Sequence, residues 1–282
     1  MSKDYIIDTP DGEKIRITTF GNENAEMKNC IIYVHGFKGF KDWGFIPYTG
    51  KYFAERGIFF ITFNFSLNGI GDNPTECTES EKFANNTFSR EVNELSKIID
   101  AYCSGFFGTK KNKKLGILGH SRGGAISLLT SAYKNEVDAV ATWASISKLD
   151  RYTERQKEEW RKTGFVEVIN SRTNQVMRLN VSLLDDIENN KHGSLNIERA
   201  VANLNRPLLI AHGDQDLSVP IAEGEQIYEW SDKSKTEFYK LHATGHTFDA
   251  AHPFLTSNEK FEKLLNKTYN FFTGSFNSPG AD

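Results

Sequence analysis

Ser121 stands in the run Gly119-His120-Ser121-Arg122-Gly123, two residues from a glycine on either side. The apolar stretch Lys114-Leu115-Gly116-Ile117-Leu118 precedes it, and Gly124 to Tyr133 follows with helical character. A strand that stops at a serine and restarts as a helix is the setting that a G-x-S-x-G nucleophile elbow requires. The turn forces the serine into strained backbone angles, and side chains at the glycine positions would collide with the neighbouring strand and helix. Its Oγ is then held clear of the sheet, at the positive end of a helix. A serine hydroxyl attacks a carbonyl only when a base takes its proton, and that base is usually a histidine oriented by a carboxylate.

The chain has seven histidines. His246 is the expected base. It lies in Ala243-Thr244-Gly245-His246-Thr247-Phe248, between the last strand and the last helix that the sequence predicts. A loop on a rigid scaffold suits a ring that must serve nucleophile and leaving group in turn. His242, at the strand end, is expected to pack or to bond backbone, and His120, His192, His212 and His252 read as structural or surface residues. In elbow folds the acid lies between nucleophile and base along the chain. Ala211-His212-Gly213-Asp214-Gln215-Asp216 follows a buried strand and offers two aspartates. Asp216 is the expected partner, because the Gly213-Asp214 turn must first redirect the chain; Asp214 is expected to cap that turn.

Two backbone N–H groups must point at the oxyanion that forms on attack. Arg122, at the helix start, supplies one. Phe37 supplies the other, after Tyr33-Val34-His35-Gly36, with Gly36 letting the backbone turn inward. No metal is expected, since His242 and His246 lack a third ligand at sensible spacing. A triad and two amides need no cofactor.

These residues need a scaffold. Asp4 to Asp8 and Lys14 to Phe20 flank Pro10-Asp11-Gly12 as an opening hairpin. Cys30 to Val34, Ile58 to Phe65, Lys114 to Leu118, Asp138 to Ser145, Pro207 to His212 and Thr236 to Leu241 read as further strands. Helical periodicity marks Trp43 to Arg56, Thr87 to Tyr102 and Ser257 to Phe272. Ser66 to Asn86 reads as a long loop, and Gly274 to Asp282 as a frayed tail. The alternation predicts an α/β fold: a mostly parallel central sheet with helices on both faces. One segment interrupts it. Arg151 to Lys162 is a charged helix candidate, Phe165 to Asn170 and Gln175 to Asn180 read as a hairpin around Ser171-Arg172-Thr173-Asn174, and Val181 to Glu188 returns to helix. The predicted division is a core of residues 1–146 and 197–282 with a cap inserted over 147–196, at the strand ends where a site belongs.

Over 282 residues the net charge is −3, without the basic excess of a nucleic-acid binder. The opening residues form no apolar leader, and no apolar run approaches a membrane span. Three scattered cysteines, Cys30, Cys77 and Cys103, read as reduced thiols. The expectation is a cytoplasmic protein whose partner is a small-molecule ester, with no nucleic acid or membrane involved and a homodimer left open.

His35-Gly36-Phe37, the Gly119 to Gly124 elbow, His212-Gly213 through Asp216, Val219-Pro220 and Gly245-His246-Thr247-Phe248 together resemble the α/β-hydrolase superfamily over nearly the whole chain. Within it the chain is most similar to dienelactone-hydrolase-like and cinnamoyl (feruloyl)-esterase-like serine hydrolases. True dienelactone hydrolases carry cysteine at the elbow, and dehalogenases and epoxide hydrolases carry aspartate; this elbow carries serine. The resemblance implies Ser121, Asp216 and His246 as the triad, Phe37 and Arg122 as backbone donors, and a small cap. The expected activity is hydrolysis of carboxylic esters through an acyl-enzyme. Two other readings stand beside it. One is amide or peptide hydrolysis of the prolyl-oligopeptidase-like type, whose members usually carry a large extra domain that is not evident in these residues. The other is a hydrolase fold that binds small ligands without turnover. The cap offers Arg151, Arg155, Arg161, Lys162, Arg172 and Arg178 beside Tyr152, Trp160, Phe165 and Met177. These form either a solvated charged face over a local core or a roof for an aromatic or anionic acyl group. On the second reading Trp160, Arg155 and Met177 are the expected substrate contacts.

Overall fold

Runs such as Ile58-Phe59-Phe60-Ile61, apolar on both faces, belong in a sheet covered on both sides. The computed structural model describes residues 2–71, 73, 76–109, 113–170 and 173–277 and places them there. The strands are β1 (Ser2–Asp8), β2 (Lys14–Phe20), β3 (Asn29–Val34), β4 (Ile58–Asn64), β5 (Leu115–His120), β6 (Ala139–Trp143), β7 (Phe165–Asn170), β8 (Gln175–Asn180), β9 (Leu208–Gly213) and β10 (Thr236–Leu241). Eight of them form one sheet in the order β1-β2-β4-β3-β5-β6-β9-β10, while β7 and β8 pair with each other. β1 and β2 are antiparallel, as is β2 against β4; every pairing from β4 across to β10 is parallel. This is the α/β-hydrolase fold.

The helices are α1 (Ile46–Glu55), α2 (Ser80–Ala84), α3 (Phe88–Ser104), α4 (Arg122–Ser131), α5 (Glu154–Thr163), α6 (Val181–Asn190), α7 (Ile197–Ala202), α8 (Ile221–Trp230) and α9 (Glu259–Asn277). Side chains of β3 alternate between two cores. Cys30, Ile32 and Val34 join α3 and α4, whereas Ile31 and Tyr33 join α1 and α9. This two-sided burial fixes the register, since a one-residue slip would exchange the faces. The parallel strands therefore end together, and their following loops carry Phe37, Ser121, Asp216 and His246.

The insertion between β6 and β9 has sharp local signals. Thr153 and Gln156 make a reciprocal capping box at the start of α5, and Gly164 closes it at φ +80°. Its apolar side chains, among them Trp160, Leu179, Leu183 and Ile187, join the same core as α3 and α4. The segment before α3 and the first turn of α3 hold it by polar contacts: Gln175 Nε2 donates to the Cys77 carbonyl at 3.1 Å, and the Ser89 N–H to Asp186 Oδ2 at 2.9 Å.

Two expectations change. The 66–86 segment contains α2 and a bridge between Ile70 and Cys77, because Phe83 is buried there; one short turn of helix leaves no periodic signal. The last helix runs through Gly274 to Asn277, since Phe276 stacks on Phe272 at 5.6 Å. The rest of the expected frayed tail, 278–282, lies outside the described residues, as do Ser171 and Arg172 of the hairpin turn.

Candidate active site

At the end of β5 the chain turns so tightly that Ser121 adopts φ +57°, ψ −121° before α4 begins. Such angles cost an L-residue of order 1–3 kcal/mol and persist only where surroundings impose them. The glycines show how they are imposed. A Cβ on Gly119 would lie 2.3 Å from the Gly123 carbonyl oxygen, and one on Gly123 would lie 2.2 Å from that of Val34. Strand and helix thus pass closer than any side chain permits.

His246 Nε2 lies 3.1 Å from Ser121 Oγ, and His246 Nδ1 lies 2.7 Å from Asp216 Oδ2. An ionised carboxylate only accepts, so Nδ1 carries the proton and Nε2 is free to accept from the serine hydroxyl. The other oxygen, Asp216 Oδ1, accepts from the N–H groups of Ser218 and Val219, each at 2.9 Å. Burial works to raise the Asp216 pKa, but hydrogen bonds from His212 and His246 outweigh it and hold the carboxyl well below the usual range. The His246 loop is pinned from both ends. Thr244 and Phe248 are fully buried, and the Thr244 carbonyl accepts from the Gln215 N–H at 3.0 Å. His120, beside Ser121 in the chain, donates from Nε2 to the His246 carbonyl at 3.0 Å. Burial lowers the His120 pKa to about 3 and that of His35 to about 4, so both rings stay neutral near pH 7.

Arg122 opens α4, so its backbone N–H has no acceptor within the helix. Gly36 crosses directly above the serine, where a Cβ would come 2.9 Å from Ser121 Cβ, and this brings Phe37 to the rim. Two clefts meet at Ser121 and share Phe37, Lys38 and His246. One, of about 440 Å³, is walled by Trp43, Asn170 and His252. The other, of about 430 Å³, lies under the insertion and is walled by Phe88, Leu149, Arg151 and Tyr152.

The three expected substrate contacts sit elsewhere. Trp160 is fully buried, with Nε1 donating to the Leu179 carbonyl at 2.9 Å and its ring edge-on to Tyr152. Met177 is buried in the same core, and Arg155 is exposed on α5; none of the three lines either cleft. The charges on α5 are compensated locally: the exposed Arg161 pairs with Asp185 and Glu188, and the buried Lys157 with Asp150 and Glu154. Arg172 lies outside the described residues. His252, read as structural or surface, stacks on Trp43 in a cleft wall and accepts from the Gly44 N–H at 2.9 Å. Nothing in its His-Pro context marks this, because the partner ring is about two hundred residues away. His242 is exposed and pairs with Asp214 at 2.7 Å instead of packing or bonding backbone.

Residues 49–279 match the model of the prolyl oligopeptidase family. The chain belongs to that family. Its sequence is 26% identical over 249 residues to a protein of Mycoplasma genitalium named esterase/lipase 2, covering 81% of this chain and 86% of that one. Two solved structures share the fold of this family member. Est1E from Butyrivibrio proteoclasticus, with ferulic acid bound, superposes with a TM-score of 0.75 at 17% identity over 97% of this chain and 100% of its own. Alpha/beta hydrolase domain-containing protein 10 from mouse gives 0.72 at 15% identity, over 96% and 99%. The likeness to these structures is one of fold, that of an α/β hydrolase. No helix among the described residues is long and apolar enough to cross a membrane.

Proposed function

We propose that this chain is a serine carboxylesterase that cleaves small-molecule esters through an acyl-enzyme on Ser121. The observation that carries the reading is the hydrogen-bonded series Ser121–His246–Asp216, ending at a serine held at φ +57°. Ser121 Oγ attacks the ester carbonyl as His246 Nε2 takes its proton. Asp216 holds the imidazole tautomer and stabilises the imidazolium. The N–H groups of Phe37 and Arg122 form the oxyanion hole. The imidazolium then protonates the departing alkoxide, and water cleaves the acyl-enzyme by the same route. The insertion acts as a cap that roofs one cleft. Trp43 and His252 favour a flat apolar group in the other, a chemistry in keeping with the ferulic acid that Est1E binds. The cap-side arginines are already compensated, Arg151 by Glu223 and Arg122 by Glu91, which argues against selection for anionic esters.

Ser121→Ala is expected to lower kcat on a nitrophenyl ester by roughly 10⁶. Near-full activity in that variant would remove the proposal. The family match supports a second reading, amide or peptide hydrolysis, by the same residues. Paired esters and amides of one acyl group separate the two: the ester reading requires the ester to be turned over faster by more than their intrinsic difference. A fluorophosphonate probe that left Ser121 unlabelled would favour a ligand-binding fold without turnover.

A further inference from the structure

The two residues whose N–H groups are assigned to the oxyanion also touch through their side chains. The Arg122 guanidinium lies 4.2 Å from the centre of the Phe37 ring and 4.5 Å from that of Phe88. Its Nη1 donates to Glu91 Oε1 at 3.3 Å, and Asn86 Nδ2 donates to the same oxygen at 2.7 Å. Side-chain exposure is 10% for Arg122 and 4% for Glu91. Phe37 in turn packs on Phe83 of α2 at 5.5 Å. One continuous stack, Phe83–Phe37–Arg122–Phe88, therefore fastens the loop after β3 to the first turn of α4.

The Arg122 ion pair runs to α3, beneath the cap. A buried pair of this kind is poor value for stability, because desolvation offsets most of the attraction. A geometric role explains it better. Donors stabilise an oxyanion only when their spacing is set before the charge appears. The Phe37 N–H belongs to a loop that a glycine precedes, whereas the Arg122 N–H belongs to a helix. A planar guanidinium that stacks on the Phe37 ring while gripping α3 ties one to the other, and a flexible ammonium could not do so.

We propose that the Arg122 side chain, held by Glu91, is a positioning group that fixes Phe37 and so sets the distance between the two oxyanion donors. This rests on the serine-esterase reading. Its effect belongs to the transition state, so kcat should move and KM should not. In the double variant Arg122→Met, Glu91→Gln, which leaves no buried unpaired charge, kcat on a nitrophenyl ester should fall about 30-fold with KM within about 2-fold, a fraction of what losing a whole donor costs. Inhibition by a trifluoromethyl ketone, which forms a tetrahedral adduct, should weaken in proportion. Arg122→Lys should recover only part of the loss, since it keeps the charge and lacks the plane. Phe37→Leu gives a second reading that leaves the ion pair intact and should lower kcat in the same way. An unchanged kcat in either the double variant or Phe37→Leu, or a rise in KM alone, would overturn the positioning role while Ser121→Ala remains inactive. Activity that survives Ser121→Ala would overturn the esterase reading and this one together.

Discussion

Two aspartate–histidine pairs join the same two loops, and their hydrogen bonds are equally short. Asp214 to His242 and Asp216 to His246 both measure 2.7 Å from Oδ2 to Nδ1. The surroundings differ. The His242 side chain is 92% exposed against 21% for His246, and that of Asp214 is 14% exposed whereas Asp216 is fully buried. An exposed pair is screened by water and loses side-chain freedom for little gain. The buried carboxylate has each oxygen engaged, one by two backbone N–H groups and one by imidazole, so it can neither rotate away nor take up a proton near pH 7. A short Asp–His contact alone therefore distinguishes nothing, and the enclosure around Asp216 is what keeps the His246 ring aimed at Ser121.

The largest test of that contrast is to remove each charge in turn. Asp216→Asn should lower kcat on a nitrophenyl ester by about 10⁴, because the amide stabilises the wrong imidazole tautomer. Asp214→Asn should change it by less than about 2-fold. Equal effects of the two substitutions, measured by steady-state kinetics, would show that enclosure does not distinguish the pairs.

The loops that carry both pairs cross at one glycine. A Cβ on Gly213 would lie 2.2 Å from the Thr244 carbonyl oxygen, which is rigid backbone. Gly213→Ala must push the 242–246 loop away from the 214–216 loop. The expected cost is about 3 kcal/mol in urea unfolding, with a loss of kcat beyond what the unfolded fraction explains.

Acid separates enclosed imidazoles from exposed ones more gently. His35 and His120 have folded-state pKa values lowered by burial to about 4 and about 3. Unfolding releases them to the ordinary value near 6.5, so the unfolded chain takes up protons that the folded chain refuses. Their contribution is fully present above about pH 6.5 and is lost as pH falls toward the folded values. Between pH 7 and pH 5 each should remove about 2 kcal/mol of stability. His120→Asn should flatten that part of the denaturation profile.

The same contrast explains what could be read in the sequence. The elbow, the Gly213 crossing and the His246 loop impose backbone demands that only a few residue types meet, so Gly119, Gly123 and Gly213 announce them. The core strands were legible because burial on two faces leaves unbroken apolar runs. The cleft walls were not. Trp160 and Met177 looked available because they lie among charged residues. Periodicity shows that such a side chain faces inward; it cannot show that Leu179 and Tyr152, rather than a ligand, are waiting there. The place of the Arg122 N–H follows from the elbow, but nothing local reveals that Glu91, thirty-one residues earlier, receives the charge of its side chain. His252 and Trp43 meet only through the fold.

The smallest prediction concerns the exposed pair itself. His242→Ala deletes a ring that is nearly all in water and leaves Asp214 held by its backbone hydrogen bonds from Ala243 and Thr244. The backbone bonds that shape the loop do not depend on that ring: the Asp214 N–H donates to the Leu241 carbonyl at 3.0 Å, and Thr244 Oγ1 to the His242 carbonyl at 2.9 Å. The melting temperature should move by no more than about 2 °C and kcat by less than about 2-fold. If instead kcat falls tenfold with the fold intact, the surface pair communicates with His246 through the three residues between them, and enclosure alone would not account for the difference between the two.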